Sequence, residues 1–169
     1  MPPLDPRDHH LVSAAEGWFE LGNPHEALSE LDALSEAASR HPAVLELRWS
    51  ILAQQGAWDL AVPVAEDLIR SAPGIAAGWL HRAYALRRAS HGGLPQAWSA
   101  LHPAADLFPS ESLIAYNLAC YATQMGRVDE GWEWFLRAIQ ISGDGRALRA
   151  MGLRDEDLQP LRERILSLK

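Results

Sequence analysis

Residues able to do nucleophilic or acid–base chemistry are few in this sequence and do not form a known motif. Cys120 lies inside the run NLACYA with no charged neighbour that would lower its pKa, which predicts a small buried residue. The histidines lack the His-x-x-x-His spacing of a metal site. Glu16 and Glu20 lie one helical turn apart, but no pocket partner accompanies them, so a solvated face is expected. We therefore expect no enzyme activity, no cofactor and no metal.

Composition narrows the remaining classes of protein. The chain has 169 residues, 48% of them hydrophobic and 22% charged, which is typical of a globular domain. A net charge of −7 argues against nucleic-acid binding, and a single cysteine excludes an internal disulfide or a cysteine-based zinc site. No apolar run is long enough to span a membrane, and the N-terminus lacks a signal pattern, so a cytoplasmic protein is expected.

The elements that position these residues follow an internal repeat. Four amphipathic segments begin at Gly22, Gly56, Leu94 and Gly126. The small residue early in each segment recurs at spacings of 34, 36 and 34, at Ala27, Ala61, Ala97 and Gly131. A second helical segment precedes each one, and no stretch alternates with the period of a strand. The repeat therefore predicts four helix hairpins, with turns near Gly22, Gly56, Ser90 to Gly93, and Gly126.

This pattern resembles the tetratricopeptide repeat family, most clearly between Tyr116 and Ser142. The resemblance covers about residues 8–143, and the inter-repeat prolines Pro42, Pro73 and Pro109 support it. It implies an all-α fold, a right-handed superhelical stack of antiparallel helix hairpins. We expect a single repeat domain over residues 1–169, with repeats at about 8–41, 42–75, 76–111 and 112–145. Trp49 stands where the family has a small residue, so packing in the second repeat should be looser or rearranged.

A C-terminal cap is expected over residues 146–169. The stretch 147–151 predicts a short helix that Gly152 ends. A last helix should start at the acidic run from Asp155 to Asp157, because acids favour a helix N-terminus. Its apolar residues would close the end of the repeat stack, and they are Leu158, Leu161, Ile165 and Leu168.

The resemblance also implies a concave groove that binds peptides. Residues 8–41 carry seven acids and one base, whereas residues 76–111 carry two acids and three bases and are the only repeat with net positive charge. We therefore predict that the groove binds an acidic or carboxylate-bearing peptide, with charge-assisted bonds from two arginines. The predicted contact residues are His81, Tyr84, Arg87, Arg88, Tyr116, Asn117, Thr123 and Gln124.

Several alternatives remain open at this point. Arg87 and Arg88 are equally well interpreted as solvated residues that stabilise a helix C-terminus. The family's clamp for chaperone tails needs two lysines, and Lys169 is the only lysine here, so that ligand is excluded. The leading function is a non-catalytic adaptor with a protein or peptide partner. A small chaperone-like holder and a self-assembling scaffold, which would form a homo-oligomer, are the alternatives.

Overall fold

A computed structural model describes residues 4–168, and these residues contain helices and no strand. The expected all-α fold is confirmed. The elements are α1 (Pro6–Glu20), α2 (Pro24–Asp32), α3 (Glu36–Ser39), α4 (Pro42–Gln54), α5 (Trp58–Ser71), α6 (Ala76–Leu86), α7 (Leu94–Leu101), α8 (Ala104–Leu107), α9 (Ser112–Gln124), α10 (Val128–Ile141), α11 (Gly145–Arg154), a 3-10 helix (Glu156–Leu161) and α12 (Arg162–Ser167).

The chain divides into two compact units, one ending at Ala85 and the other starting at Leu86. We call them the first unit and the second unit. The single domain over residues 1–169 stays a prediction.

The predicted hairpin turns are confirmed by the backbone. Gly22, Gly56, Gly93 and Gly126 have φ values of 76°, 67°, 133° and 78°. Residues with a side chain rarely adopt this region, whereas glycine enters it freely. Each glycine follows the first helix of a repeat, so the turn positions follow directly from the sequence.

The recurring small residues mark close approaches between helices. Ala27, Ala61 and Ala97 are completely buried. A Cβ added at Gly131 would collide with the Thr123 hydroxyl on the neighbouring helix α9. The small residues that recur with the repeat therefore lie where the two helices of a hairpin are in contact.

In the first unit, α1, α2 and α4 enclose one apolar cluster, which contains Leu31, Val44 and Ile51. A second cluster forms around Trp49, which is 9% exposed. The Trp49 ring stacks on His81 with centroids 3.8 Å apart and an interplanar angle of 9°. The rearranged packing expected at Trp49 thus takes the form of an aromatic stack.

The start of the first unit is fixed by a buried carboxylate. Asp8 on α1 is 3% exposed and accepts bonds from both the hydroxyl and the backbone N–H of Ser35, at 2.5 and 3.0 Å. These bonds lower the pKa of Asp8 because they favour its ionised form. Ser35 in turn caps α3 by accepting the N–H of Ala38.

In the second unit, α9 is the central element. Nine of its residues are buried, because α7, α10 and the 3-10 helix all pack against it. Tyr121 and Phe135 are the largest fully buried side chains of this core. Few side chains of α9 are therefore left exposed to solvent.

Three predictions about helix boundaries are wrong. Helix α11 continues through Gly152, since the missing Cβ leaves room for the Phe135 ring, 2.7 Å from where a Cβ would lie. The amphipathic segment that begins at Leu94 is predicted to be one helix, but it breaks at Pro103, which has no N–H to donate. The last helix is split into a 3-10 segment and α12, although Leu158, Leu161 and Ile165 are fully buried as expected.

Within residues 4–168, no helix is both long and apolar enough to cross a lipid bilayer.

Candidate peptide-binding face

The predicted contact residues are distributed over both units. His81 and Tyr84 belong to the first unit, and the other predicted residues, from Arg87 to Gln124, belong to the second.

In the first unit, His81 and Tyr84 are part of an aromatic cluster. The Tyr84 ring meets Trp49 and Trp58 edge-on, with centroids 6.1 and 5.7 Å apart, and is 39% exposed. His81 is half-buried, and loss of solvation lowers its pKa to about 4. His81 is therefore neutral at pH 7 and offers no positive charge to a ligand.

In the second unit, Arg87 forms a forked ion pair with Asp157. It follows α6 directly, and its two terminal nitrogens donate to the two carboxylate oxygens of Asp157, Nη2 to Oδ1 at 2.7 Å. Both side chains are 23% exposed. The bond to Asp157 raises the pKa of Arg87, and the guanidinium carbon also lies 5.7 Å from the centre of the Tyr121 ring.

Side chains along one face of α9 also contact Asp155 and Asp157. Tyr116, Cys120 and Gln124 are four residues apart and so share one helix face. The Tyr116 hydroxyl donates to Asp155 Oδ2 at 2.8 Å, the Cys120 thiol lies 3.6 Å from the same oxygen, and Gln124 Nε2 donates to the Asp157 carbonyl at 2.9 Å. Burial raises the pKa of both Tyr116 and Cys120.

The segment that all these groups face is acidic and comes from the chain's own C-terminal end. We call residues 155–157 the acidic turn. Its Asp155 also accepts the N–H of Asp157 at 2.9 Å, which starts the 3-10 helix. The face predicted to bind an acidic peptide thus holds an acidic stretch of the same protein.

Three other predicted residues are placed differently. Thr123 is 3% exposed and faces Gly131, so a ligand on this face cannot reach it. Asn117 donates to the carbonyl of Leu113 in its own helix at 2.8 Å. Arg88 is exposed in the turn after α6.

The partners of this face were not predicted from the sequence. The sequence predicts Cys120 as a small buried residue and Asp155 and Asp157 as acids at a helix start, which leaves their contacts with each other unpredicted. The available signal was the four-residue spacing of Tyr116, Cys120 and Gln124, together with two acids two residues apart.

The same groups also bring three possible metal ligands of two types, a thiol and two carboxylates, together. The Cys120 sulfur and one carboxylate oxygen each from Asp155 and Asp157 lie within 4.8 Å of one another. However, Arg87 uses both oxygens of Asp157, while Tyr116 and the Asp157 N–H use those of Asp155. Hydrogen bonding thus accounts for this cluster without a metal.

A second aromatic cluster lies elsewhere in the second unit. Trp98, His102 and Trp134 have ring centroids 5.2 to 6.3 Å apart, so the rings touch one another. The guanidiniums of Arg127 and Arg137 lie 4.1 and 5.0 Å from the Trp98 and Trp134 ring centres. Because the chain's own arginines cover these rings, the cluster is not an open cage for a cationic ligand.

Solved structures show which known fold this chain resembles. No protein-family model and no curated protein matches the sequence. A crystal structure of MamA protein aligns with a TM-score of 0.70 at 18% identity, over 95% of this chain and 86% of that one. TTC0263, a thermophilic TPR protein of Thermus thermophilus, aligns with a TM-score of 0.64 at 17% identity, over 95% of this chain and 100% of that one. The chain has a tetratricopeptide-like repeat fold.

A larger structure also contains this fold. The tetratricopeptide-like chain aligns with a structure of Naa15/Naa10 bound to HypK-THB, with a TM-score of 0.58 at 18% identity. The match covers 95% of this chain but 24% of the other. At such identities the likeness establishes the architecture, and function has to be argued from the residues themselves.

Proposed function

We propose that this tetratricopeptide-like chain is a non-catalytic protein–protein interaction module of the cytoplasm. Its ligand is an acidic peptide segment, and its binding face in the second unit is formed by Arg87, Tyr116 and Gln124. The supporting observation is that these three side chains already hold two aspartates and a backbone carbonyl of the acidic turn. A face that satisfies an acidic stretch of its own chain has the donors to satisfy one from a partner.

The chemistry of Cys120 supports a non-catalytic role. A nucleophilic cysteine needs a lowered pKa, given by nearby positive charge or a helix N-terminus. Burial and the charges of Asp155 and Asp157 instead raise the pKa of Cys120. The thiol therefore stays protonated at neutral pH and serves as a weak hydrogen-bond donor.

For the first unit, we propose that Tyr84 contacts the partner. Its ring is held by Trp49 and Trp58, yet a large part of it remains exposed. Such a fixed aromatic ring supplies contact area at little cost in conformational entropy. His81 would contribute by orienting Trp49 rather than by charge, because its pKa is low.

Peptide binding to the full chain tests this function. Fluorescently labelled 15-residue peptides that contain an Asp-x-Asp-Leu sequence are titrated and followed by anisotropy, with Asp→Asn peptides as matched controls. We expect the acidic peptides to bind at least about tenfold more tightly than the amide controls and to weaken with added salt. Arg87→Ala should reduce the difference, because it leaves only Tyr116 to recognise a carboxylate, and Arg146→Ala, at an exposed arginine, should preserve it.

Other outcomes separate the alternatives. Equal binding of the acidic and the amide peptides would contradict the proposed ligand. Concentration-dependent mass in sedimentation, without peptide binding, would favour the self-assembling scaffold.

A further inference from the structure

The C-terminal segment, residues 155–168, lies on the face assigned above to a partner. We propose that this segment is a tethered competitor, which covers the acidic-peptide face of the second unit until a partner with the same pattern displaces it. The inference rests on the proposed function and specifies the ligand as Asp-x-Asp-Leu-x-x-Leu.

The polar half of this pattern comes from the acidic turn. Tyr116 recognises the first aspartate, and the fork of Arg87 recognises the second, two residues later. Gln124 donates to the backbone carbonyl of that second aspartate, so its bond positions the segment without adding a preference for a side chain. The middle residue, Glu156, is exposed and leaves its position in the pattern unrestricted.

The apolar half of the pattern lies directly after the acidic turn in the sequence. Leu158 and Leu161 come one and four residues after Asp157, and both are 0% exposed. They pack with the 3-10 helix against α9, α10 and α11. Burial of two leucines adds non-directional affinity, whereas the two carboxylates fix the register of the bound segment.

The remainder of the segment is held less firmly. Helix α12 has six residues, too few to be stable by itself. Apart from Ile165, its anchors are exposed polar contacts, such as Arg164 to Asp129 and the bond from Arg149 to the Leu166 carbonyl. Short exposed elements of this kind open locally at a lower free energy than the core.

Tethering sets the strength of the competition. A segment joined by a short connection acts at an effective concentration on the order of millimolar. A free peptide of equal intrinsic affinity therefore competes with it only near millimolar concentration. A partner must either bind more tightly than the segment or meet a chain whose segment has been loosened.

The single cysteine provides a direct reporter of displacement. Cys120 is 4% exposed beneath Asp155. When the segment leaves, the thiol meets solvent, and its pKa should fall toward the ordinary value of about 8.5. Alkylation by iodoacetamide should then become faster, and a bound acidic peptide should slow it again.

The test compares full-length variants with matched charge changes. Asp155→Asn/Asp157→Asn removes both recognised carboxylates, whereas Glu156→Gln removes the unrecognised one. Each variant is titrated with a labelled peptide of residues 153–168, its Cys120 alkylation rate is measured, and circular dichroism checks its helix content. Asp157→Asn alone serves as the second variant if the double variant loses helix.

The expected result is specific to the double variant. It should alkylate at least about tenfold faster than the unsubstituted chain and bind the peptide at least about tenfold more tightly. Adding Arg87→Ala should abolish this binding, and Glu156→Gln should behave like the unsubstituted chain.

Each contrary result has its own meaning. If the unsubstituted chain and the double variant bind the peptide equally, the segment is no competitor, and the proposed function stands without it. An unchanged alkylation rate with no tighter binding also overturns the inference. If alkylation accelerates but neither chain binds the peptide, the acidic-peptide function itself is wrong and the segment is only a cap.

Discussion

Equivalent helix faces in the two units have different chemistry. Tyr116, Cys120 and Gln124 of the fourth repeat correspond to Glu46, Ser50 and Gln54 of the second repeat, seventy positions earlier. In the second unit this stripe donates to the acidic turn, whereas in the first unit Ser50 donates to the carbonyl of Glu46 in its own helix, at 2.9 Å. A carboxylate where the fourth repeat has a tyrosine would repel an acidic segment. The repeat therefore fixes the shape of the face, and single side chains decide what it binds.

The largest effect on stability is expected at Trp49, whose ring contacts both His81 and Tyr84 in the first unit. Trp49→Ala should lower the free energy of unfolding by about 3–5 kcal/mol, since it removes a nearly buried ring and its stack with His81. Urea denaturation followed by circular dichroism measures this. Trp18→Ala, at a ring that is 37% exposed, is the control and should cost clearly less. Equal losses would show that the stack has no special role.

The corresponding anchor in the second unit is Leu158. Leu158→Ala should cost about 2–5 kcal/mol locally, because it empties a fully buried position under the 3-10 helix. Faster Cys120 alkylation and a lower denaturation midpoint would report it. Leu166→Ala, at a side chain 48% exposed, should leave both nearly unchanged. If Leu158→Ala lowers the midpoint without exposing Cys120, the segment and the face are not coupled.

Arg87→Ala tests the polar part of the same comparison. It removes the fork to Asp157 and should lower stability by about 1–3 kcal/mol, toward the smaller value because both side chains are partly exposed. Denaturation at low and high salt measures the loss, which should shrink as salt screens the pair. Arg146→Ala is the matched control on the surface. A loss that does not depend on salt would point to packing against Tyr121 instead of charge.

The fold was predictable from the sequence because its signals are local. Glycines at Gly22, Gly56 and Gly126 and the small residues such as Ala27 and Ala61 act within one hairpin, so spacing alone locates the turns and helix contacts. Gly152 is misleading, since a glycine that ends a helix and one that admits the Phe135 ring look identical in sequence.

The candidate site was predictable only in part. Arg87, Tyr116 and Gln124 were located by repeat register, and the acidic nature of what they contact was inferred from charge. The acidic partner is Asp155 and Asp157 of the same chain, and this depends on contacts over 33 to 70 residues, which no periodic signal encodes. Burial of Thr123 was also missed, because it results from the glycine opposite it.

The first unit's aromatic stack should make stability depend on pH between about pH 4 and pH 6.5. The pKa of His81 is about 4 in the folded chain, below its ordinary value of about 6.5, because burial disfavours the charged ring. Between these values the unfolded chain binds the proton more readily. Stability is therefore complete above about pH 6.5 and declines as the pH falls toward 4.

Denaturation midpoints at about pH 7.5 and about pH 5 measure this decline. His81→Gln should show a smaller decline than the unsubstituted chain, and His91→Gln, at an exposed histidine, should retain it. An identical decline in His81→Gln would mean that the stack does not exclude the charged ring.

The smallest effect is expected for Asn117, which shares α9 with the stripe but lies off it. Its amide donates to the carbonyl of Leu113, a bond that helix and solvent readily replace, so Asn117→Ala should change stability by about 0.5 kcal/mol or less. Gln124→Ala, which removes the bond to the Asp157 carbonyl, is the matched comparison and should accelerate Cys120 alkylation. Asn117→Ala should leave that rate unchanged, because the carbonyl that accepts its bond belongs to α9 rather than to the segment.

If instead Asn117→Ala weakens binding of the acidic peptide as much as Gln124→Ala does, then an incoming peptide covers more of α9 than the tethered segment does. The ligand pattern would then need a further polar position before its first aspartate.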